Sequence, residues 1–331
     1  MVLELCLLAV GLALIIKGGE LFVAAAVRIA RLLRLPRVVI GSTLVSLTTT
    51  APELVVSVLA GLKGESGLAI GNAVGSVICN IGLIMGVSAS MKQLDVHPRL
   101  LSVPLAAMFA AGIAVLVMSL DLSVSRWEGS LLLAGGLAYF ACDFMYHWRD
   151  RKPADVLEAG VIETEHEARG WAWFQTGPGT TVQFLLGAAT VVLGSKLLVD
   201  GAVGVAAGLG IPSIIIGLTV VAAGTSLPEL TTAVTSSRQA VSDLAVGNVL
   251  GANIANLTLI IGTASVIHSV GMSRLTQLFN CPAMLAFMGL LLWVLLTDRR
   301  VTRREGAVLL AAYGAYLAAL ITLTAFQNLT N

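Results

Sequence analysis

Apolar residues run along this chain in stretches long enough to cross a bilayer, and polar residues break them at nearly regular intervals. Ten stretches stand out, at roughly 2–30, 37–60, 66–91, 100–119, 127–146, 180–207, 212–236, 241–268, 277–297 and 303–325. A hydrocarbon core about 30 Å thick needs about 20 apolar residues per helix. Lipid also forces each span to satisfy its own backbone. The pattern therefore predicts an all-α integral membrane protein with ten transmembrane helices. The longest polar stretch, about His147–Thr176, is too short and too charged to bury a core. It reads as part of a linker, 147–179, between two five-helix halves, 1–146 and 180–331.

Composition agrees, with 57% apolar and 12% charged residues, against about a quarter charged in a soluble domain. The placement of charge says more than its amount. With ten spans the loops alternate between two sides. One side collects 15 basic residues, from Arg28 and Arg31 through Arg149–Lys152 to Arg303 and Arg304. The other holds 3: Lys63, Arg126 and Arg274. Lys17 and Lys196 fall within spans. An excess of this kind marks the cytoplasmic side. The linker is then cytoplasmic, and both termini are extracytoplasmic in an inner or plasma membrane.

The two halves are related. Pro36–Ser90 slides onto Pro212–Val266 without a gap, at an offset of 176, and 21 of the 55 pairs are identical. Each copy carries a Pro-Glu pair inside an apolar span, Pro52-Glu53 and Pro228-Glu229. Five spans per half is an odd number, so the second copy enters the membrane inverted. Inverted repeats with an ion site where they meet are a transporter architecture, and a carboxylate at membrane depth marks a functional site.

The surroundings of each Glu are rich in oxygen. Ser46, Thr48, Thr49 and Thr50 precede Pro52, and Gly224, Thr225 and Ser226 precede Pro228. Proline removes a helix hydrogen bond and clashes four residues back. The helix is therefore expected to break near 46–51 and to restart with Pro52 in its first turn and Thr50 or Ala51 as cap. Carbonyls freed at the break would need a partner, which a cation supplies. In span three, Asn72, Ser76 and Asn80 share one helical face, and Gly71 and Gly75 permit close approach of another helix. Span eight repeats this with Asn248, Ala252 and Asn256, Asn253 beside them, and Gly247 and Gly251.

The donor set is oxygen-only, which suits calcium, sodium or magnesium rather than zinc or copper. Calcium takes roughly six to eight such ligands in flexible geometry. Two carboxylates neutralise one divalent ion, and without it they repel each other, so protons can compete for the site. Other chemistry is thinly supported. The four cysteines, Cys6, Cys79, Cys142 and Cys281, lack CxxC spacing and read as buried small hydrophobes. The four histidines, His97, His147, His166 and His268, lie at or outside span ends, and no Walker-type loop occurs. That argues against an enzyme, and no long basic run points to nucleic acid. Lys17–Glu20 and Lys196–Asp200 read as same-face ion pairs. The acidic run Glu158–Glu167 reads as solvated linker, and Asp143 and His147 as interfacial.

The segments TTTAPEL with GNAVGSVICN, and GTSLPEL with GNVLGANIAN, resemble the α-repeats of the cation/calcium exchanger superfamily, especially its prokaryotic sodium/calcium exchangers. The resemblance implies ten helices around a midplane cluster of ion sites, with the long first and sixth helices sliding as a gate. Carried over residue by residue, it implies ligands Ser46, Thr49, Thr50, Glu53, Ser76 and Asn80 in the first half. In the second half it implies Ala222 through its carbonyl, Thr225, Ser226, Glu229 and Asn256. Thr48, Val77, Ala252 and Asn256 depart from the usual motif, and Ala252 removes a hydroxyl. The proton/calcium branch places Glu after Gly-Asn, where this chain has Ala73 and Val249. The expected activity is secondary exchange of Ca2+ for Na+ by alternating access, with H+-coupled exchange as the alternative. The ions are cargo, membrane lipid is the surrounding partner, and no cofactor is implied.

Overall fold

The structure is a computed structural model and describes residues 2–32, 43–95, 98–149, 176–238, 242–297 and 300–330. Most of the expected linker, the acidic run Glu158–Glu167, and the first residues of span two through Ser42 lie outside the described residues. In chain order the helices are α1 (Val2–Leu32), α2 (Ser46–Thr49), α3 (Ala51–Leu62), α4 (Ser66–Cys79), α5 (Gly86–Met91), α6 (Pro98–Met118) and α7 (Arg126–Arg149). The second half follows with α8 (Gly177–Leu209), α9 (Ser213–Ile216), α10 (Ala222–Thr225), α11 (Leu227–Arg238), α12 (Ser242–Ala255), α13 (Ile261–Ile267), α14 (Cys281–Thr297) and α15 (Arg303–Thr330). Eight described helices, with α4–α5 and α12–α13 each continuing as one, are long and apolar enough to span a bilayer. Two bent pairs, Thr43–Thr49 with Ala51–Leu62 and Ser213–Thr225 with Leu227–Val234, supply the other two spans. The chain is thus a ten-span membrane protein of two inverted five-helix repeats.

Spans sort into centre and rim. In Ser66–Met91 the apolar window is 94% buried, and in Val2–Ala26 it is 22% buried. Lipid is as apolar as leucine, so what draws the central helices together is close packing at small residues. A Cβ added at Gly71 would lie 2.6 Å from the Ile214 carbonyl oxygen, and one at Gly75 would lie 2.7 Å from that of Leu218. No side chain fits there, which lets α4 press its backbone against the segment Gly217–Val221. The rim helices α1 and α8 pack antiparallel in the same way. Gly201 meets Leu8, Gly194 meets Gly11, and Gly187 meets Phe22, each at under 3 Å from a hypothetical Cβ.

Short strand pairs tie the halves at the molecule's two ends. β1 (Leu94–Asp95) pairs antiparallel with β4 (Arg300–Val301), and β2 (Ser123–Val124) pairs with β3 (Val270–Gly271). Each pair takes one loop from each half, and ten alternating spans put those loops at one end.

Several expectations need correction. Lys17 and Glu20 do pair, at 2.9 Å, but Asp200 takes Lys63 instead of Lys196. Lys63 closes the end of α3, and α3 packs beside α8, so its ammonium reaches Asp200 across the helix boundary. Cys79 and Cys281 are buried, but Cys6 and Cys142 are exposed, because α1 and α7 are rim helices. Asp143 is half-buried and accepts a 2.6 Å hydrogen bond from Thr43 Oγ1.

Candidate ion site

Both Pro-Glu spans break where the proline pattern places the break. The chain turns 44° between α2 and α3, at Thr50, and 40° between α10 and α11, at Ser226. Thr50 holds the N-cap position with φ −81° and ψ −2°, and Pro52 sits in the first turn of α3. Its side chain does not cap. Thr50 Oγ1 lies 2.6 Å from the Ser46 carbonyl and 3.3 Å from Glu229 Oε1. The break therefore leaves fewer bare carbonyls than the proline alone suggests. The Ser46 carbonyl also accepts from Thr50 N–H at 3.0 Å, and the Ala222 carbonyl accepts from Ser226 N–H at 3.1 Å. A carbonyl has a second lone pair, so these bonds do not exclude a cation.

The hydrogen bonds cross between the halves. Ser226 Oγ donates to Glu53 Oε1 at 3.1 Å, and Thr50 Oγ1, whose single proton the Ser46 carbonyl also faces at 2.6 Å, lies within hydrogen-bond reach of Glu229 Oε1 at 3.3 Å. Thr225 Oγ1 donates to Asn72 Oδ1 at 3.2 Å, and Thr49 Oγ1 donates to Asn248 Oδ1 at 3.5 Å. The two bonds of each pair are related by the 176-residue offset. Each carboxylate therefore leans on the other half's broken helix, and the site exists only where the two repeats meet.

Glu53, Glu229, Ser46, Ser76, Asn80, Thr225 and Asn256 are all 0% exposed, and Thr49, Thr50, Ala222 and Ser226 are buried beside them. Several acceptors have no protein partner: Glu53 Oε2, Glu229 Oε2, Asn80 Oδ1, Asn256 Oδ1 and the Ser76 hydroxyl. Buried polar atoms are normally paired, and an unpaired buried carboxylate costs several kcal/mol. A surplus of unpaired oxygens is the chemistry a hard cation answers. Among the described residues no group of three or more His, Cys, Asp or Glu could hold a metal. Hydroxyls, amides and carbonyls must then supply most of any shell.

One feature left no mark in the sequence pattern, and a second stood there only as a neighbour of the span-eight face. Asn80 and Asn256 each open a wider π-helical turn, Asn80–Met85 and Asn256–Ile260, and such turns gather at functional sites. Asn253 is the second. Its Oδ1 accepts from Asn80 Nδ2 at 3.0 Å. The first half has Val77 at the matching position, so Asn256 turns its amide to its own helix, to the Ala252 carbonyl at 2.9 Å.

Comparison with known proteins bears on the family and the fold. The family described as sodium/calcium exchanger protein matches residues 3–142 and 179–322. The sodium/calcium exchanger MaX1 of Methanosarcina acetivorans is 32% identical over 346 residues, covering 95% of this chain and 97% of its own. The inner membrane protein YrbG of Escherichia coli is 32% identical over 270 residues, covering 81% of each chain. Among solved structures, the sodium-calcium exchanger NCX_Mj soaked with 2.5 mM Na+ and 0.1 mM Ca2+ superposes with a TM-score of 0.67 at 28% identity, covering 97% of this chain and 99% of that one. The same exchanger soaked with 100 mM Na+ and 10 mM Sr2+ also gives 0.67, at 27% identity over 96% and 98%. The chain belongs to the sodium/calcium exchanger family: it is an integral membrane cation/calcium antiporter, not an enzyme.

Proposed function

We propose that the chain exchanges Ca2+ for Na+ by alternating access, through one site shared by residues 1–146 and 180–331. Glu53 and Glu229 supply the charge. Ser46, Thr49, Thr50, Ser76, Asn80, Thr225, Ser226, Asn256 and the Ala222 carbonyl supply the remaining oxygens. The observation that carries this reading is the crossed pairing of each carboxylate with the other repeat's break, with one oxygen of each carboxylate left unpaired. Without a cation, that arrangement holds two negative charges in a low dielectric. Reorientation without cargo is then costly, whereas cargo neutralises the pair. This is the physical difference between an exchanger and a leak. The hard-oxygen set admits Ca2+ and Na+ at the same atoms. We place the β1–β4 end in the cytoplasm and both termini outside, on the loop charge. The α1–α8 pair is the sliding element.

The test is Ca2+ uptake into Na+-loaded proteoliposomes, against K+- and choline-loaded controls. Sodium-dependent uptake is expected, and Glu53→Gln is expected to lose it. The main rival is H+ coupling, since an unpaired carboxylate oxygen can also take a proton. Uptake driven only by an imposed pH gradient would replace Na+ with H+ as counter-ion. Uptake that survives Glu53→Gln would overturn the site.

A further inference from the structure

A hydroxyl that binds a cation must point its proton elsewhere. If Thr225 is a ligand, as the proposed site has it, something must take that proton. Three acceptors lie within reach of Thr225 Oγ1: Asn72 Oδ1 at 3.2 Å, the Val221 carbonyl at 3.0 Å and the Ala222 carbonyl at 3.4 Å. One hydroxyl carries one proton. Given to Ala222, it occupies a carbonyl that the site needs for the ion. Given to the Val221 carbonyl four residues back, the common bond of a helical threonine, or to Asn72, it leaves the Oγ1 lone pairs and the Ala222 carbonyl available. Of these two acceptors only Asn72 comes from the opposite repeat and ties the hydroxyl's direction to it.

Asn72 is held so that it can only accept. Its Nδ2 donates to Ser57 Oγ at 3.0 Å and to the Glu53 carbonyl at 3.2 Å. Ser57 Oγ passes its own proton on to the Ala69 carbonyl at 3.5 Å. This relay fixes which end of the amide is nitrogen and turns Oδ1 toward Thr225. Asn72, Ser57 and Thr225 are all 0% exposed. The glycine contacts of α4 provide the approach: a Cβ at Gly75 would lie 2.9 Å from Ala222 Cβ.

The mirror residue is not equivalent. Asn248 Oδ1 faces Thr49 at 3.5 Å, but its Nδ2 has no partner. Ser57 recurs as Ala233 at the 176-residue offset, so the amide lacks its anchor.

We propose that Asn72 is a positioning residue for cation exchange. It accepts the proton of Thr225 and thereby turns that hydroxyl and the Ala222 carbonyl toward the ion, without touching the ion itself. The role rests on the site proposed above, and the test separates the two. Ca2+ affinity is measured by calorimetry on the full chain in detergent for Asn72→Ala, Thr225→Val, the double variant, Ser57→Ala and Glu53→Gln. Each of the first two is expected to weaken binding by about tenfold, the size of one lost hydrogen bond to the site. The double variant should be no weaker than either single, because both remove one device. Ser57→Ala leaves Asn72 in place but removes the shorter of the two bonds that orient its amide, the Glu53 carbonyl keeping the other. It should weaken binding in the native background and do nothing when Thr225 is already valine. That variant carries the test if Asn72→Ala fails to fold. Losses that multiply to about a hundredfold in the double variant, or unchanged affinity in Asn72→Ala or Ser57→Ala, would overturn the positioning role alone. Unchanged affinity in Glu53→Gln would remove the site and this role together.

Discussion

At the scale of single residues, the repeat is closest to symmetric where bonds cross the interface and least so just outside it. Position 233 shows this. Asn72 finds Ser57 at 3.0 Å, whereas the Nδ2 of Asn248 is buried without a partner and Ala233 stands at the matching place, 0% exposed. An unpaired buried amide costs about 1–3 kcal/mol, and a restored hydrogen bond returns about 1 kcal/mol. Ala233→Ser is therefore expected to raise the thermal unfolding midpoint of the purified protein. Ser57→Ala is expected to lower it. A midpoint that falls in Ala233→Ser would show that the added oxygen strains a packed site more than it pairs the amide. The sequence marks most of these residues because they recur at a fixed offset. Identity at Asn72/Asn248 was visible, but their bonding to the opposite repeat's threonine was not. A spacing of four tells which residues share a helical face, not which helix that face meets. Asn253 was harder still, since its partner position, Val77, breaks the repeat.

At the scale of elements, proline chemistry located both breaks to within a residue or two, because a missing N–H and a steric clash act locally. The π-helical turns at Asn80 and Asn256 left no comparable mark, since they arise where helices settle against one another. The ion pairs divide in the same way. Lys17–Glu20 follows from spacing within a helix, while Lys63–Asp200 depends on a neighbour that spacing cannot name. The α1–α8 contact is equally non-local, although its glycines recur at sevens: Gly11 and Gly18 on one helix, Gly187, Gly194 and Gly201 on the other. Its geometry makes a sharp prediction. A Cβ at Gly11 would lie 2.5 Å from the Leu198 backbone nitrogen, and one at Gly194 would lie 2.8 Å from the Gly11 carbonyl. Backbone cannot move aside as a rotamer can, so Gly11→Ala and Gly194→Ala should each destabilise by about 1–3 kcal/mol. Gly289→Ala on α14, where a Cβ meets nothing within 4 Å, should be neutral or slightly stabilising. Thermal unfolding of the three variants in one detergent decides it. Equal midpoints across the three would mean that α1 and α8 are not held by backbone contact.

At the scale of the whole molecule, the hydropathy pattern and the duplicated motif carried the ten-span, two-repeat architecture, because lipid leaves the chain few alternatives. Sidedness is the property that the loop charges assert most strongly, and the strand pairs turn it into a measurable claim. Arg274 follows β3 at one end of the molecule, while Lys92 and Arg304 flank β1 and β4 at the other, and all three are exposed. Cysteines placed at these positions, with the exposed Cys6 and Cys142 changed to serine, report each end separately. Cys79 and Cys281 are buried and stay silent. In intact cells a membrane-impermeant maleimide is expected to label Arg274→Cys and to spare Lys92→Cys and Arg304→Cys until the cells are permeabilised. The inverse pattern would reverse the orientation while leaving the fold intact. Opposite behaviour of Lys92→Cys and Arg304→Cys would be more serious, because β1 and β4 could then not pair at one end, and the span count itself would fail. The 15-to-3 distribution of basic loop residues favours the first pattern, since each of those side chains would otherwise have to be carried across the bilayer during insertion.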